Sequence, residues 1–144
     1  MGTTLALRIA SILSLLTAAG HTLGGRSSWS PVGENDTLRD MRSFHMNVFG
    51  VSRTYHDFFM GFGYSLSIYM LLQAVALWLL ASLAKRDLAT ARPCIVVFLL
   101  ASVGLVLVSW IFIFPVPAAF SALVTICLVV SYVLALKSDH PPQS

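Results

Sequence analysis

Residues 58–83 read FFMGFGYSLSIYMLLQAVALWLLASL, an apolar stretch without a single Asp, Glu, Lys or Arg. A helix rises about 1.5 Å per residue, so about 20 residues cross a hydrocarbon core about 30 Å thick, and this stretch spans it with some tilt. Three further runs of similar character follow outward from it: Leu5–Leu23, Cys94–Phe114 and Ala118–Leu136. Of the 144 residues 57% are apolar and 10% are charged, where a soluble domain carries roughly 25% charged residues. The pattern predicts an all-α fold: a four-helix transmembrane bundle in a single membrane domain, with one short extramembrane amphipathic helix between spans one and two. A cleaved signal peptide is the rival reading of the first run, because Thr17-Ala18-Ala19 is a small-residue run. Its single basic residue, Arg8, and its length favour a span.

Between the first two runs, residues 24–57 form the one sizeable polar segment. Its opening, Gly24 to Gly33, is rich in turn formers and predicts an irregular connection with Trp29 at headgroup level. Thr37 followed by Asp40 resembles a capping box, and Leu38, Met41, Phe44 or His45, Val48 and Phe49 continue at helical spacing. Gly50 is the expected stop. With Arg39, Asp40 and Arg42 on the other side, this helix suits the membrane surface. Pro93 is positioned to open the third span, and Pro115-Val116-Pro117 to reverse the chain between the third and fourth. The tail, residues 137–144, is expected to be disordered.

Basic residues near span ends are retained on the cytoplasmic side during insertion. Lys85, Arg86 and Arg92 crowd one short turn, and Arg8 and Lys137 belong to the same side. Arg26, Arg39, Arg42 and Arg53 are diluted over the long loop and offset by Glu34, Asp36, Asp40 and Asp57. Both termini are therefore expected in the cytoplasm and the long loop outside. The net charge of +3 is spread along loops and not clustered with aromatics, which argues against nucleic acid as a partner. The expected partners are the lipid bilayer and other membrane subunits or a second copy. Cys94 and Cys127 form no Cys-x-x-Cys and read as packing residues.

Residues able to carry chemistry gather where the long loop meets the spans: His21, His45, Arg53, Tyr55, His56 and Asp57. Imidazole and carboxylate are common metal ligands, but no two of these histidines stand at the i, i+4 spacing of a helical metal motif, and no metal is expected. A haem gripped by His21 and a loop histidine is physically allowed, as is a quinone among Phe58, Phe59, Phe62, Tyr64, Phe112 and Phe114. His56 and Asp57 diverge by about 100° on a helix, which disfavours a direct acid–base pair. Within the second span Ser65, Tyr69, Gln73 and Ala76 share a face that is expected to point into the bundle. Gln73, an amide at mid-span, requires a partner, with Tyr69, Ser109 and Thr125 as candidates. Gly61-Phe62-Gly63 lacks the Lys and the strand of a phosphate loop and reads as a close helix contact.

The residues His21-Thr22-Leu23-Gly24-Gly25, Phe49 to Phe58 and Gly61-Phe62-Gly63 resemble those of a group of small uncharacterised four-span bacterial integral membrane proteins. The resemblance covers the first two spans and the loop between them. It implies a multi-pass protein of the bacterial inner (cytoplasmic) membrane and assigns no catalytic or ligand residue. The expected function is binding of a lipophilic molecule or service as an accessory subunit of a larger membrane complex. The alternative is a membrane-embedded enzyme using His/Asp acid–base chemistry on a small lipophilic substrate at the outer interface. A transporter is disfavoured because four spans contain no obvious inverted repeat.

Overall fold

Four long helices carry most of the chain in the computed structural model, which describes residues 1–26 and 30–138. They are α1 (Gly2–Gly25), α3 (Tyr55–Arg86), α4 (Leu88–Phe112) and α5 (Pro115–Lys137), and a short α2 (Asp36–Ser43) and the strands β1 (His45–Val48) and β2 (Val51–Thr54) lie between α1 and α3. All four long helices are long and apolar enough to cross a membrane. Their surfaces fit that solvent: Leu100, Trp110 and Ile111 of α4 are each about two-thirds or more exposed, a distribution that suits lipid and would be costly in water. The chain is a membrane protein by this criterion.

Each long helix starts before its apolar stretch, because a helix start is set by caps and first-turn residues and not by where hydropathy rises, whereas α4 ends at Phe112, short of the Phe114 that closes its run. Asp87 caps α4, one oxygen accepting from the Thr90 backbone N–H at 3.0 Å and the other from the Thr90 hydroxyl at 2.5 Å. Pro93, expected to open this helix, therefore lies inside it. Pro115 and Pro117, expected to separate two spans, instead form the first turn of α5, where a proline forfeits no helical hydrogen bond. The connection is reduced to Ile113 and Phe114, the C-cap of α4 and the N-cap of α5. At the other end Lys137 still belongs to α5, whereas residues 139–144 lie outside the described residues.

The chain forms two compact units, to both of which α1 and α3 contribute. The first comprises Met1–Thr17 and the chain from Met70 onward. Its core is Leu7 and Ala10 of α1, Leu77, Leu80, Ala81 and Ala84 of α3, Ala91 and Ile95 of α4, and Val124 and Leu128 of α5. Four of these ten are alanines, which allow helix backbones to approach closely where lipid provides no hydrophobic drive for association. Polar groups then tie the helices together. The Ser11 hydroxyl donates to the Ala74 carbonyl at 2.7 Å, the Ser102 and Thr125 hydroxyls bond at 2.7 Å, and Arg92 donates to the Ala135 carbonyl near the end of α5 at 2.9 Å. The Arg8 guanidinium lies 4.9 Å from the Trp78 ring centre.

The second unit, Ala18–Tyr69, holds the polar segment. Asn35 caps α2 by accepting from the Leu38 N–H, and Leu38 is buried. The expected Thr37–Asp40 box is not the cap, and the helix expected to continue to Phe49 stops at Ser43. The next residues pair instead as an antiparallel hairpin, His45 opposite Thr54 and Val48 opposite Val51. Phe49 (φ 52°) and Gly50 (φ 80°) form its two-residue turn; positive φ at both central positions matches a type I′ turn, whose twist suits the two strands. The fold is thus helical but not purely so. The stretch from Gly24 also proves helical up to Gly25, while Trp29 falls outside the described residues.

Candidate functional site

The hairpin feeds α3 without a linker, and the junction is locked by a reciprocal cap. The Asp57 carboxylate accepts from the Thr54 backbone N–H at 2.8 Å, and the Thr54 hydroxyl accepts from the Asp57 N–H at 3.0 Å. This is the capping-box arrangement, with Asp in the place of Glu. Phe44 and Tyr55, which flank the first strand pair, stack with ring centres 5.3 Å apart. Arg53, opposite Met46 in β2, is thereby carried beside the first turns of α3.

Arg53 and five residues of α3, Asp57, Phe58, Gly61, Phe62 and Ser65, line a hollow of about 320 Å³. The helix residues recur at one and four positions apart, so they present a single face. The hollow is amphiphilic: a guanidinium and a carboxylate on one part, two phenyl rings on another, and a serine hydroxyl. Phe62 is 73% exposed. A Cβ placed on Gly61 would meet nothing within 4 Å, so this glycine opens the hollow and is not the close helix contact its sequence setting suggested.

The other residues singled out in the sequence do not gather here. His21 of α1 lies with its Nδ1 3.0 Å from the Ser67 hydroxyl of α3. His45 is exposed on β1, its Nδ1 3.4 Å from the Ser52 hydroxyl. His56 is half-buried, and its Nε2 is buried with no hydrogen-bond partner among the described residues. Tyr69 is 67% exposed, and Ser65 is exposed as well, so the face expected to point inward does not do so at these two positions. Gln73 belongs to the first unit and donates to the Ser14 hydroxyl of α1 at 3.2 Å, instead of to Tyr69, Ser109 or Thr125. Among the described residues no three His, Cys, Asp or Glu side chains stand close enough to share a metal ion.

Sequence reasoning named Arg53 and Asp57 but missed Ser65 and Gly61 as parts of one lining, and missed Thr54 as the partner of Asp57. The Thr-x-x-Asp signature at 54–57 was available; that Gly61 and Ser65 face an open hollow was not, since a helix apolar on all sides does not reveal which face is packed. Fold and site together define the class, a membrane protein with four apolar helices long enough to span. Beyond the class, no protein-family model, curated protein or solved structure matches the chain.

Proposed function

We propose that the chain is a four-helix bundle of the bacterial inner membrane that binds a lipophilic molecule in the hollow of α3, with both termini in the cytoplasm and the hairpin outside. The density of Lys85, Arg86 and Arg92 at the α3–α4 junction supports this orientation. What carries the binding reading is the lining itself: Arg53 and Asp57 meet Phe58 and Phe62 on a helix apolar enough to cross a membrane. Such a lining matches a molecule with a polar end and a hydrocarbon body. Acid–base chemistry draws less support, because Asp57 is engaged in capping α3 and its hydrogen bonds run to Thr54 and not to a histidine.

Purification from the native membrane in mild detergent, with an absorption spectrum and mass spectrometry of whatever co-migrates, tests the proposal. The expected result is one lipophilic molecule per chain at near-stoichiometric occupancy. Stoichiometric polypeptides without a small molecule would favour an accessory-subunit role, and a protein that is alone and empty would overturn the binding reading.

A further inference from the structure

Within a bilayer, Phe58 and Phe62 contact hydrocarbon whether or not a ligand is bound, so apolar burial contributes little to retention and the polar groups decide it. Two opposite charges face this hollow. Arg53 uses one N–H on the Ser52 carbonyl at 2.8 Å, and its guanidinium carries five donors in all, in a fork that fits phosphate oxygens. Asp57 uses one carboxylate oxygen on the Thr54 N–H, and as an exposed side chain lining the hollow it keeps acceptor capacity, since a carboxylate offers about four lone-pair sites. No ion pair joins Arg53 to Asp57, although both line the same space.

A head group of one sign satisfies one of these groups and opposes the other. A phosphate alone would answer Arg53 and face the Asp57 carboxylate. A phosphate linked to a quaternary amine would answer Arg53 but offer Asp57 no N–H. A phosphate linked to a primary ammonium satisfies both. Gly61, with open space around it, leaves passage for the hydrocarbon chains along the Phe58 and Phe62 rings.

We infer that the hollow is a site for a zwitterionic aminophospholipid, with its phosphate on Arg53 and its primary ammonium on Asp57. The inference rests on the lipophilic-binding reading above and names the ligand class. Asp57→Asn is the informative variant, since it keeps an acceptor for the Thr54 N–H while removing the charge.

The test is native mass spectrometry of the full chain in detergent, offered equal amounts of dioleoyl phosphatidylethanolamine, phosphatidylglycerol and phosphatidylcholine. The ethanolamine lipid should be retained about tenfold over the other two, a difference expected of one charge-assisted hydrogen bond. Arg53→Gln should weaken all three, and Asp57→Asn should abolish the preference for ethanolamine over choline with an unchanged circular-dichroism melt. Soluble glycerophosphoethanolamine should compete poorly; competition as strong as that of the lipid would overturn the assignment in favour of a soluble phosphate ligand. Equal retention of the three lipids, or a preference for phosphatidylglycerol, would also overturn it. If a ligand without either charge, such as a quinone, co-purifies with the native protein, the head-group inference fails while the binding reading stands; an empty protein that also retains none of the three lipids overturns both.

Discussion

Thr54 and Asp57 cap each other across the junction of β2 and α3: each backbone N–H is answered by the other's side-chain oxygen, at 2.8 and 3.0 Å. Thr54 is buried and ends the hairpin, and Asp57 lines the hollow, so one pair of hydrogen bonds fixes both the hairpin and the lining. Thr54→Ala removes the hydroxyl and should cost about 1 kcal/mol. Thermal unfolding in detergent should show the loss, and Asp57→Asn should show little of it. Equal melting of Thr54→Ala and wild type would mean that the cap does not hold the junction.

Gln73 and Ser14 form a second tie, between α3 and α1, at 3.2 Å. Hydrogen bonds between membrane helices couple by about 0.6 kcal/mol on average and up to about 2, because the unfolded helices also find partners in the bilayer. A double-mutant cycle of Ser14→Ala and Gln73→Leu should return a favourable coupling in that range. Strict additivity would place the Gln73 amide elsewhere.

The turn of the hairpin holds Phe49 at φ 52°, a region that L residues with a bulky side chain rarely adopt, and leaves the ring fully exposed. Asn tolerates this conformation and Asn-Gly is the favoured type I′ pair. Phe49→Asn should stabilise the hairpin by about 0.5–1 kcal/mol. Amide hydrogen exchange of Met46 and Val48 would detect it as slower exchange; faster exchange would contradict the turn assignment.

Asp87 lies in the turn between α3 and α4. Hydrogen bonds from the Thr90 hydroxyl and then from the Thr90 N–H stabilise its charged form and hold its pKa below the ordinary carboxylate value. A depressed pKa contributes stability that is present above the unfolded value and is lost as the pH falls through the folded value. Asp87→Asn should therefore flatten this part of the acid dependence of unfolding, and Thr90→Val should move the Asp87 carboxylate titration upward, as followed by carbon NMR. An unmoved titration would show that Thr90 does not set it.

The spans were legible because continuous hydropathy leaves few alternatives, whereas the starts of α3 and α4 depend on caps before the apolar runs, at Thr54 and Asp87. The hairpin was misread as helix because Leu38, Met41, His45 and Val48 satisfy a helical period as well as they do a helix followed by a strand. The β signal was two valines, Val48 and Val51, around a two-residue turn, but Phe49 is not a residue that announces a type I′ turn. Gln73 declared its need for a partner by its setting; the partner, Ser14, is 59 residues away and was hidden by that distance. Arg53 and Asp57 stood out as charges near a span, but that they share a hollow with Gly61 and Ser65 is a property of packing.

Gly61→Leu tests the binding site most directly, since a side chain there enters open space and fills the hollow without disturbing a packed contact. The wild-type protein and this variant, purified side by side in mild detergent, should melt alike. The wild type should retain about one lipophilic molecule per chain, and the variant should lose at least about nine-tenths of it, which from near-full occupancy corresponds to about hundredfold weaker binding. Equal retention by the two proteins would contradict a binding site in the α3 hollow.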